Sequence, residues 1–493
     1  MENLIWLGHF LIRMANFWME HLIFINIILS IVIVFFERRD PKTVWTWLLV
    51  LYFIPILGIF LYFIIGYDFH KRQMFRTKEI EDAMYSAVRG QEESIFRDEF
   101  APSDPRLRKF SDTVLMNLEA ADAVYTADND VEIYTDGKEK FRALYEEIEK
   151  AEKFIHIQYY IIRNDELWKP FEELLARKVK EGVEVRILYD SMGCRSMKHS
   201  DWRRIRSLGI HVGEFFPAIL GSLQLRVNYR NHRKIVVIDG KTAFVGGFNI
   251  GREYIGLSPK FGYWRDTHLR IRGSAVLALH IRFILDWNYA TKQNLFARDS
   301  YFTYRPEEKP GSEAIQIISS GPDSKWQNIR NVYLKMISKA RKSIYIQTPY
   351  FIPDNAVLDA LRIAAMSGVD VRVMIPCKPD HPFVYWATYS YIGDLLAAGV
   401  KCYTYDNGFL HAKGMVVDGL VSCYGTANMD IRSFKLNFEV NAVIYSIRIA
   451  RRMEEIFRED LKVCTQVTEY LYGKRSCLVR IKEQFSRLFS PVL

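Results

Sequence analysis

The sequence predicts an α/β protein in which one unit occurs twice, preceded by apolar segments long enough to form a helical hairpin. Three observations lead there. The pattern His-x-Lys-x-x-x-x-Asp occurs at His232, Lys234 and Asp239 and again at His411, Lys413 and Asp418. The segments around it recur in the same order on both occasions. And an uncharged run, Val44 to Tyr67, stands near the start of the chain.

The apolar segments come first. A membrane-crossing helix needs about 20 apolar residues, and Val44–Tyr67 supplies them. Leu22–Phe36 is also uncharged and reaches a similar length if extended back to Phe17, so two spans are expected, at about 17–36 and 44–67, within an N-terminal region 1–69. Trp18, Trp45, Trp47, Tyr62 and Tyr67 lie near their ends, where amphipathic rings prefer to sit. The polar connector from Glu37 to Thr43 makes the pair a hairpin, and no small-x-small site marks the first segment as a cleaved signal. Arg38, Arg39 and Lys42 face Arg13, Lys71, Arg72, Arg76 and Lys78 across the hairpin, a count that leans toward a cytoplasmic remainder.

Length and composition bound the rest. A chain of 493 residues exceeds one ordinary core, and 49% hydrophobic content excludes a disordered protein. A net charge of +9 favours an anionic partner: nucleic acid, an acidic metabolite or an anionic membrane. Six scattered cysteines form no metal-like cluster and read as reduced thiols.

Residues 70–105 are charged and read as a linker. The duplication follows. Residues 144–162 match 333–352, each a helix ending in Ala-x-Lys and then a strand. Gly182-Val183-Glu184-Val185-Arg186 matches Gly368-Val369-Asp370-Val371-Arg372, and 208–215 matches 398–405. Strands alternating with helices imply mixed, mostly parallel sheets flanked by helices, one per half, with a pseudo-two-fold relation. The halves are expected at 106–303 and 304–493, with a seam at 304–314 that can bring the two motifs face to face.

The residue types suit phosphoryl chemistry. Histidine can be a nucleophile or a proton carrier near neutrality. Lys234 and Lys413, Asn249 and Asn428 seventeen residues after each histidine, and the turns at Gly247 and Thr426 can hold phosphate oxygens. In a strand, residues two apart share a face, so each histidine and its lysine point the same way. Asp239 and Asp418, at odd offset, point elsewhere and better suit orienting the loop. Glu439 can accept a proton from the ring nitrogen not used in chemistry and so fix the tautomer; Asp266 is its candidate counterpart in the first half.

The twin motifs with trailing GGxN and GTxN resemble those of the phospholipase D superfamily, and the apolar hairpin, the GFLHAK context and the terminal RLFSPVL narrow the resemblance to its bacterial cardiolipin synthase branch. It covers nearly the whole chain. It implies a duplicated α/β fold with one active site between the halves, no metal and no cofactor. It implies a ping-pong reaction in which one histidine, by family pattern His232, becomes a phosphohistidine, while His411 serves as acid and then base. The implied substrates are two phosphatidylglycerol molecules at an anionic bacterial cell membrane, the products cardiolipin and glycerol. A membrane-bound phospholipid hydrolase, or less readily a nuclease, would use the same site chemistry; the hairpin argues against nucleic acid as a partner. Outside the motifs, the aromatic stretch 381–396 can line a lipid path or simply pack, and Arg226 and Arg230 are headgroup candidates. The tail 474–493 is a basic amphipathic helix suited to anionic lipid, and residues 4–14 suit an interface too.

Overall fold

The computed structural model describes residues 21, 24–36, 41–62, 88–97, 102–217, 229–302 and 309–491. The expectations placed on residues 4–14, on Trp18 and Tyr67, and on Arg226 lie outside them.

The N-terminal region is a body of its own. Residues 24–31 are helical and run into a wider turn, Val32–Phe36. Where the sequence suggests one unbroken span over 44–67, two helices appear, Pro41–Phe53 and Pro55–Leu61. The break has a local cause: Pro55 has no N–H to give, and its ring disfavours helical backbone at Ile54. Among the described residues, no helix is long and apolar enough to cross a membrane. Leu29, Ile33, Leu51 and Tyr62 form a small core, while Phe35 and Tyr52 are exposed.

The second body carries both motifs. Its first half contributes β1 (Thr126–Tyr134), β2 (Phe154–Tyr159), β3 (Glu184–Asp190), β4 (His211–Phe215), β5 (Ile235–Ile238), β6 (Thr242–Gly246) and β7 (His268–Arg272). The second half repeats them as β8 (Glu313–Ser320), β9 (Ser343–Gln347), β10 (Asp370–Pro376), β11 (Lys401–Tyr405), β12 (Gly414–Val417), β13 (Val421–Gly425) and β14 (Asn437–Tyr445), then adds β15 (Cys464–Val467). In space they run β15-β11-β10-β9-β12-β13-β14-β8-β1-β7-β6-β5-β2-β3-β4, with the short strand Arg230–Asn231 attached to β14. The order on one side of the β8–β1 seam mirrors that on the other.

Two expectations are corrected here. The halves form one continuous sheet of 16 strands, not two, because β1 and β8 pair antiparallel across the seam. And the sheet is mixed rather than mostly parallel: β2-β3-β4, β9-β10-β11 and the short strand Arg230–Asn231 beside β14 run parallel, and the other neighbours in the described sheet run antiparallel. The strand after each motif turns straight back instead of crossing over by a helix. The turn is Asp239-Gly240 in one half and Asp418-Gly419 in the other, with φ of 53° and 68°, and 55° and 62°. Positive φ at both central residues is what a tight hairpin demands, and Asp-Gly tolerates it.

Helices cover both faces. Helices Ala275–Thr291 and Ile447–Leu461 pack in a core shared by strands of both halves. Each opposite face has its own core. The start of the first half also differs from expectation. Leu107, Phe110, Val114 and Leu118 lie in the second half's core, so helix Ser111–Ala121 belongs with that half. Within the linker span, residues 88–97 form a helix whose Val88 joins the same core.

Candidate active site

Each histidine is delivered by a strand of its own half and anchored by the other half. Arg230–Asn231 runs parallel to Asn437–Phe438, and the His232 amide donates to the Phe438 carbonyl at 2.9 Å. In mirror fashion Phe409–Leu410 runs parallel to Trp264–Arg265, and the His411 amide donates to the Arg265 carbonyl at 2.7 Å. The residue that follows each anchoring carbonyl is an acid. His232 Nδ1 lies 3.0 Å from both carboxylate oxygens of Glu439, and His411 Nδ1 lies 2.6 Å from Asp266 Oδ2. Both acids named from the sequence therefore meet a histidine, each the one in the opposite half.

The site is dry. His232 and His411 are 9% and 7% exposed, and Lys234, Lys413, Asp266 and Glu439 are buried. Burial, which penalises charge, pushes both imidazoles down to about 4, and the neighbouring ammonium groups push the same way. Both rings are therefore neutral near pH 7. An ionised carboxylate can only accept, so the Nδ1 facing it carries the hydrogen and the lone pair is left on Nε2; Lys413 Nζ also lies 2.7 Å from His411 Nδ1. Burial alone would raise the acids, but their neighbours outweigh it: His232, through its hydrogen bond as well, and Lys234 hold Glu439 low, and Lys413 and His411 hold Asp266 low. The lysines are depressed by burial, to about 7 for Lys234 and about 8 for Lys413. Lys413 also lowers His232, and Lys234 lowers His411, so the two motifs share one electrostatic neighbourhood. Lys234 Nζ donates to the His232 carbonyl at 2.6 Å, and Lys413 Nζ to that of His411. The Tyr160 ring stands edge-on to His232 with centroids 4.9 Å apart, and the Trp264 ring lies 5.0 Å from His411.

Other residues named from the sequence have different placements. Asp239 and Asp418 sit at the far ends of β5 and β12, away from the rings. Asp239 accepts from the backbone amides of Glu152, Lys153 and Phe154 at 2.8 Å each. Asp418 accepts from Lys342 and Ser343 at 2.7 and 3.0 Å, and from the Lys109 ammonium at 2.7 Å. They fasten the start of the neighbouring strand and do not reach the chemistry, because their hairpin turn lies a full strand from the histidine. Asn249 accepts from the Ile161 amide at 3.1 Å and donates to the Tyr254 hydroxyl at 3.0 Å. Asn428 is buried, and its amide oxygen has no partner among the described residues. Gly247 is required by space: a Cβ there would lie 1.9 Å from Asp266 Oδ1. Thr426, its counterpart, accepts from the Val440 amide at 2.9 Å and donates to the Val440 carbonyl at 3.2 Å. Arg230 is buried and donates to the Tyr229 carbonyl at 2.7 Å.

A second layer escaped the sequence reading. Arg233 grips buried Asp286 at 2.6 and 2.7 Å, and Asp286 also receives Gln158 at 2.6 Å and Asn231 at 3.0 Å. Arg265 grips Asp460 at 3.0 Å, which receives Gln347 at 2.7 Å. One signal pointed here: Gln158 and Gln347 occupy the same place in the repeated strand, and a glutamine in an otherwise apolar strand needs a partner.

Comparisons with known proteins identify the family. The family model described as cardiolipin synthase, PLD-like domain, matches residues 144–258 and 333–461, and the one described as phospholipase D-nuclease N-terminal matches 24–66. The major cardiolipin synthase of Bacillus subtilis is 50% identical over 95% of this chain and 97% of its own length. Cardiolipin synthases of Oceanobacillus iheyensis and Staphylococcus aureus are 49% and 50% identical over 95% of this chain, and over 97% and 95% of their own lengths. The crystal structure of phosphatidylserine synthase from Haemophilus influenzae superposes with a TM-score of 0.57 at 15% identity, covering 74% of this chain and 95% of that one, and so shares the fold. The chain belongs to the phospholipase D superfamily and, within it, to the cardiolipin synthases.

Proposed function

We propose that this phosphatidyltransferase joins two phosphatidylglycerol molecules into cardiolipin and glycerol at His232 and His411. The observation that carries the reading is the crossed pair of contacts, His232 with Glu439 and His411 with Asp266, in one buried site holding two lysines. His232 is assigned as nucleophile by the family pattern. Its Nε2 lone pair attacks the donor's phosphorus, and the P–O bond to glycerol breaks. His411 gives that oxygen a proton, glycerol leaves, and a phosphatidyl-histidine remains. His411 then takes the proton from the hydroxyl of the second phosphatidylglycerol, whose oxygen attacks the same phosphorus; the bond from phosphorus to His232 Nε2 breaks, and cardiolipin leaves with the imidazole restored. The chain closes on the starting state.

Charge explains how a ring held at about 4 can begin as the acid. A phosphodiester anion entering a dry site raises the proton affinity of every cationic group there. Lys234, Lys413 and His411 thus become charged with substrate bound and stabilise the equatorial oxygens. Exclusion of water favours the lipid hydroxyl as acceptor. Gly247 and Thr426 shape the turns beneath the acids, and Asn249 and Asn428 orient the loops that carry them.

The wider arrangement belongs to the same proposal. Residues 1–69 anchor the chain in a bacterial cell membrane as a hairpin, with the catalytic region on the cytoplasmic side. Support comes from the match over 24–66 and from the exposure of Phe24, Phe35, Trp45 and Tyr52 on the described helices. The test is product analysis. Full-length protein in phosphatidylglycerol micelles should release glycerol and form the four-chain lipid without added metal or nucleotide. His232→Ala or His411→Ala should lower this by about a thousandfold or more while leaving the melting curve in place. Phosphatidic acid as sole product would make the chain a hydrolase instead.

A further inference from the structure

The C-terminal helix Cys477–Leu488 is docked with its polar side down. Glu483 and Ser486 are its buried residues, and Glu483 pairs with Arg475. In its last turn Arg487 donates to Asp394 at 2.6 Å, and just beyond the helix the Tyr391 hydroxyl and Ser490 are 3.1 Å apart. The opposite side is apolar and open: Leu478, Ile481, Phe485 and Leu488 are 61%, 59%, 52% and 75% exposed. They follow helical spacing and form one row, extended by Phe489, whose ring centroid is 5.3 Å from that of Phe485. A helix on an ordinary soluble surface does the reverse. Single exposed leucines are unremarkable, but a contiguous apolar row marks a contact surface.

Charge selects the occupant. Lys474, Arg480 and Lys482 are exposed along the same segment, whose acids are Glu469 and the buried Glu483. Two copies of this face would bring like charges together, whereas an apolar interior beneath anionic headgroups satisfies both features. We infer that the helix Cys477–Leu488 lies flat in the headgroup region of an anionic bilayer, its apolar row among the acyl chains and its basic residues at the phosphates. This surface goes beyond the proposed reaction and leans on it only for its purpose. The helix rests on Pro382–Leu396, which begins just after Asp380, and the Asp380 carboxylate acts electrostatically on Lys413. Docking would therefore bring lipid to the neighbourhood of the site.

The test uses the full-length chain with Cys477→Ser and Phe485→Cys, carrying an environment-sensitive fluorophore and reconstituted in vesicles; Cys477→Ser alone gives the background from other thiols. In phosphatidylglycerol vesicles the label should emit blue-shifted and be quenched by lipids brominated along the acyl chain. Phosphatidylcholine vesicles should give much weaker quenching. Absent quenching, or equal quenching in both lipids, overturns the inference, and blue emission without quenching assigns the face to another protein surface. A second variant, Leu478→Ser with Ile481→Ser, Phe485→Ser and Leu488→Ser, should raise the apparent KM on vesicles by about tenfold or more, with kcat in detergent micelles unchanged. A fall in both would mark a merely structural helix and overturn the inference. His411→Ala keeps the quenching whatever becomes of the reaction, so failure of the transferase reading and failure of this one are told apart.

Discussion

Beside His232 stands Arg233, whereas beside His411 stands Ala412; beneath Asp266 lies Gly247, whereas beneath Glu439 lies Thr426. The halves share a motif and a strand order, yet complete their sites from different positions. In the first half, Asp286 is neutralised by Arg233 from the motif itself. In the second, Asp460 is neutralised by Arg265, which the first half supplies. The contacts at the rings are reciprocal, Asp266 going to His411 and Glu439 to His232, so the asymmetry lies in which half supplies the arginine. The second half is thus the more dependent of the two. A repeated sequence fixes where the reacting groups stand, while the groups that hold their charge can migrate to any neighbouring position of equal reach.

This comparison can be broken at several points. Asp266→Asn and Glu439→Gln should each lower transfer by about a hundredfold or more, since each removes the group that orients and stabilises an imidazole. The defects should differ in kind. A donor lipid with a good leaving group such as p-nitrophenol needs no proton, so it should rescue formation of the phosphohistidine in Asp266→Asn and not in Glu439→Gln. Equal rescue would mean that the crossed pairing does not divide the labour. Next, Arg233→Met should cost about 3–5 kcal/mol in chemical denaturation, because it strands the buried Asp286 carboxylate, and Arg265→Met should approach that, because it takes the cation from the half-buried Asp460. A much smaller loss for Arg265→Met would remove the claimed dependence of the second half on the first.

Much of this was legible beforehand. The motif spacing, the twin order of strands and the acids at 266 and 439 all stood in the sequence. Which acid serves which ring did not, because offsets of 34 and 28 residues from the nearest upstream motif say nothing about a crossing strand. The Asp-Gly pairs at 239–240 and 418–419 between apolar runs signalled the hairpins and corrected the parallel sheet, had turn chemistry been weighed before periodicity. The single sheet was not legible, since β1 and β8 choose each other only after both halves exist.

Smaller effects sharpen the picture. Asp239→Ala and Asp418→Ala should lower stability by about 1–3 kcal/mol each, with KM little altered, as both leave strand-start amides unpaired far from the rings, that of Phe154 buried and that of Ser343 half-buried. Asp418→Ala should cost more, since it also frees Lys109. Finally, His156, His232 and His411 are held at about 4 by burial, against 6.5 in an unfolded chain. Above 6.5 their contribution to stability is fully present. As pH falls from there toward 4, the unfolded chain gains protons that the folded one refuses, and stability drops by up to about 1.4 kcal/mol per pH unit per ring. Urea midpoints taken at pH about 7.5 and about 5 should show it, and a flat profile would mean that the rings are not dry.

The seam between β8 and β1 has one more consequence. Because β1 pairs with β8 on one side, through a shifted register at Thr126 and Asn129, and with β7 on the other, the halves cannot swing apart like the shells of a clam without breaking that seam. Admission of two bulky, tethered reactants, and departure of a third molecule with four tails, must then be managed by side chains and connecting segments at the rim. Turnover in such a frame is governed by a doorway, with the walls standing still.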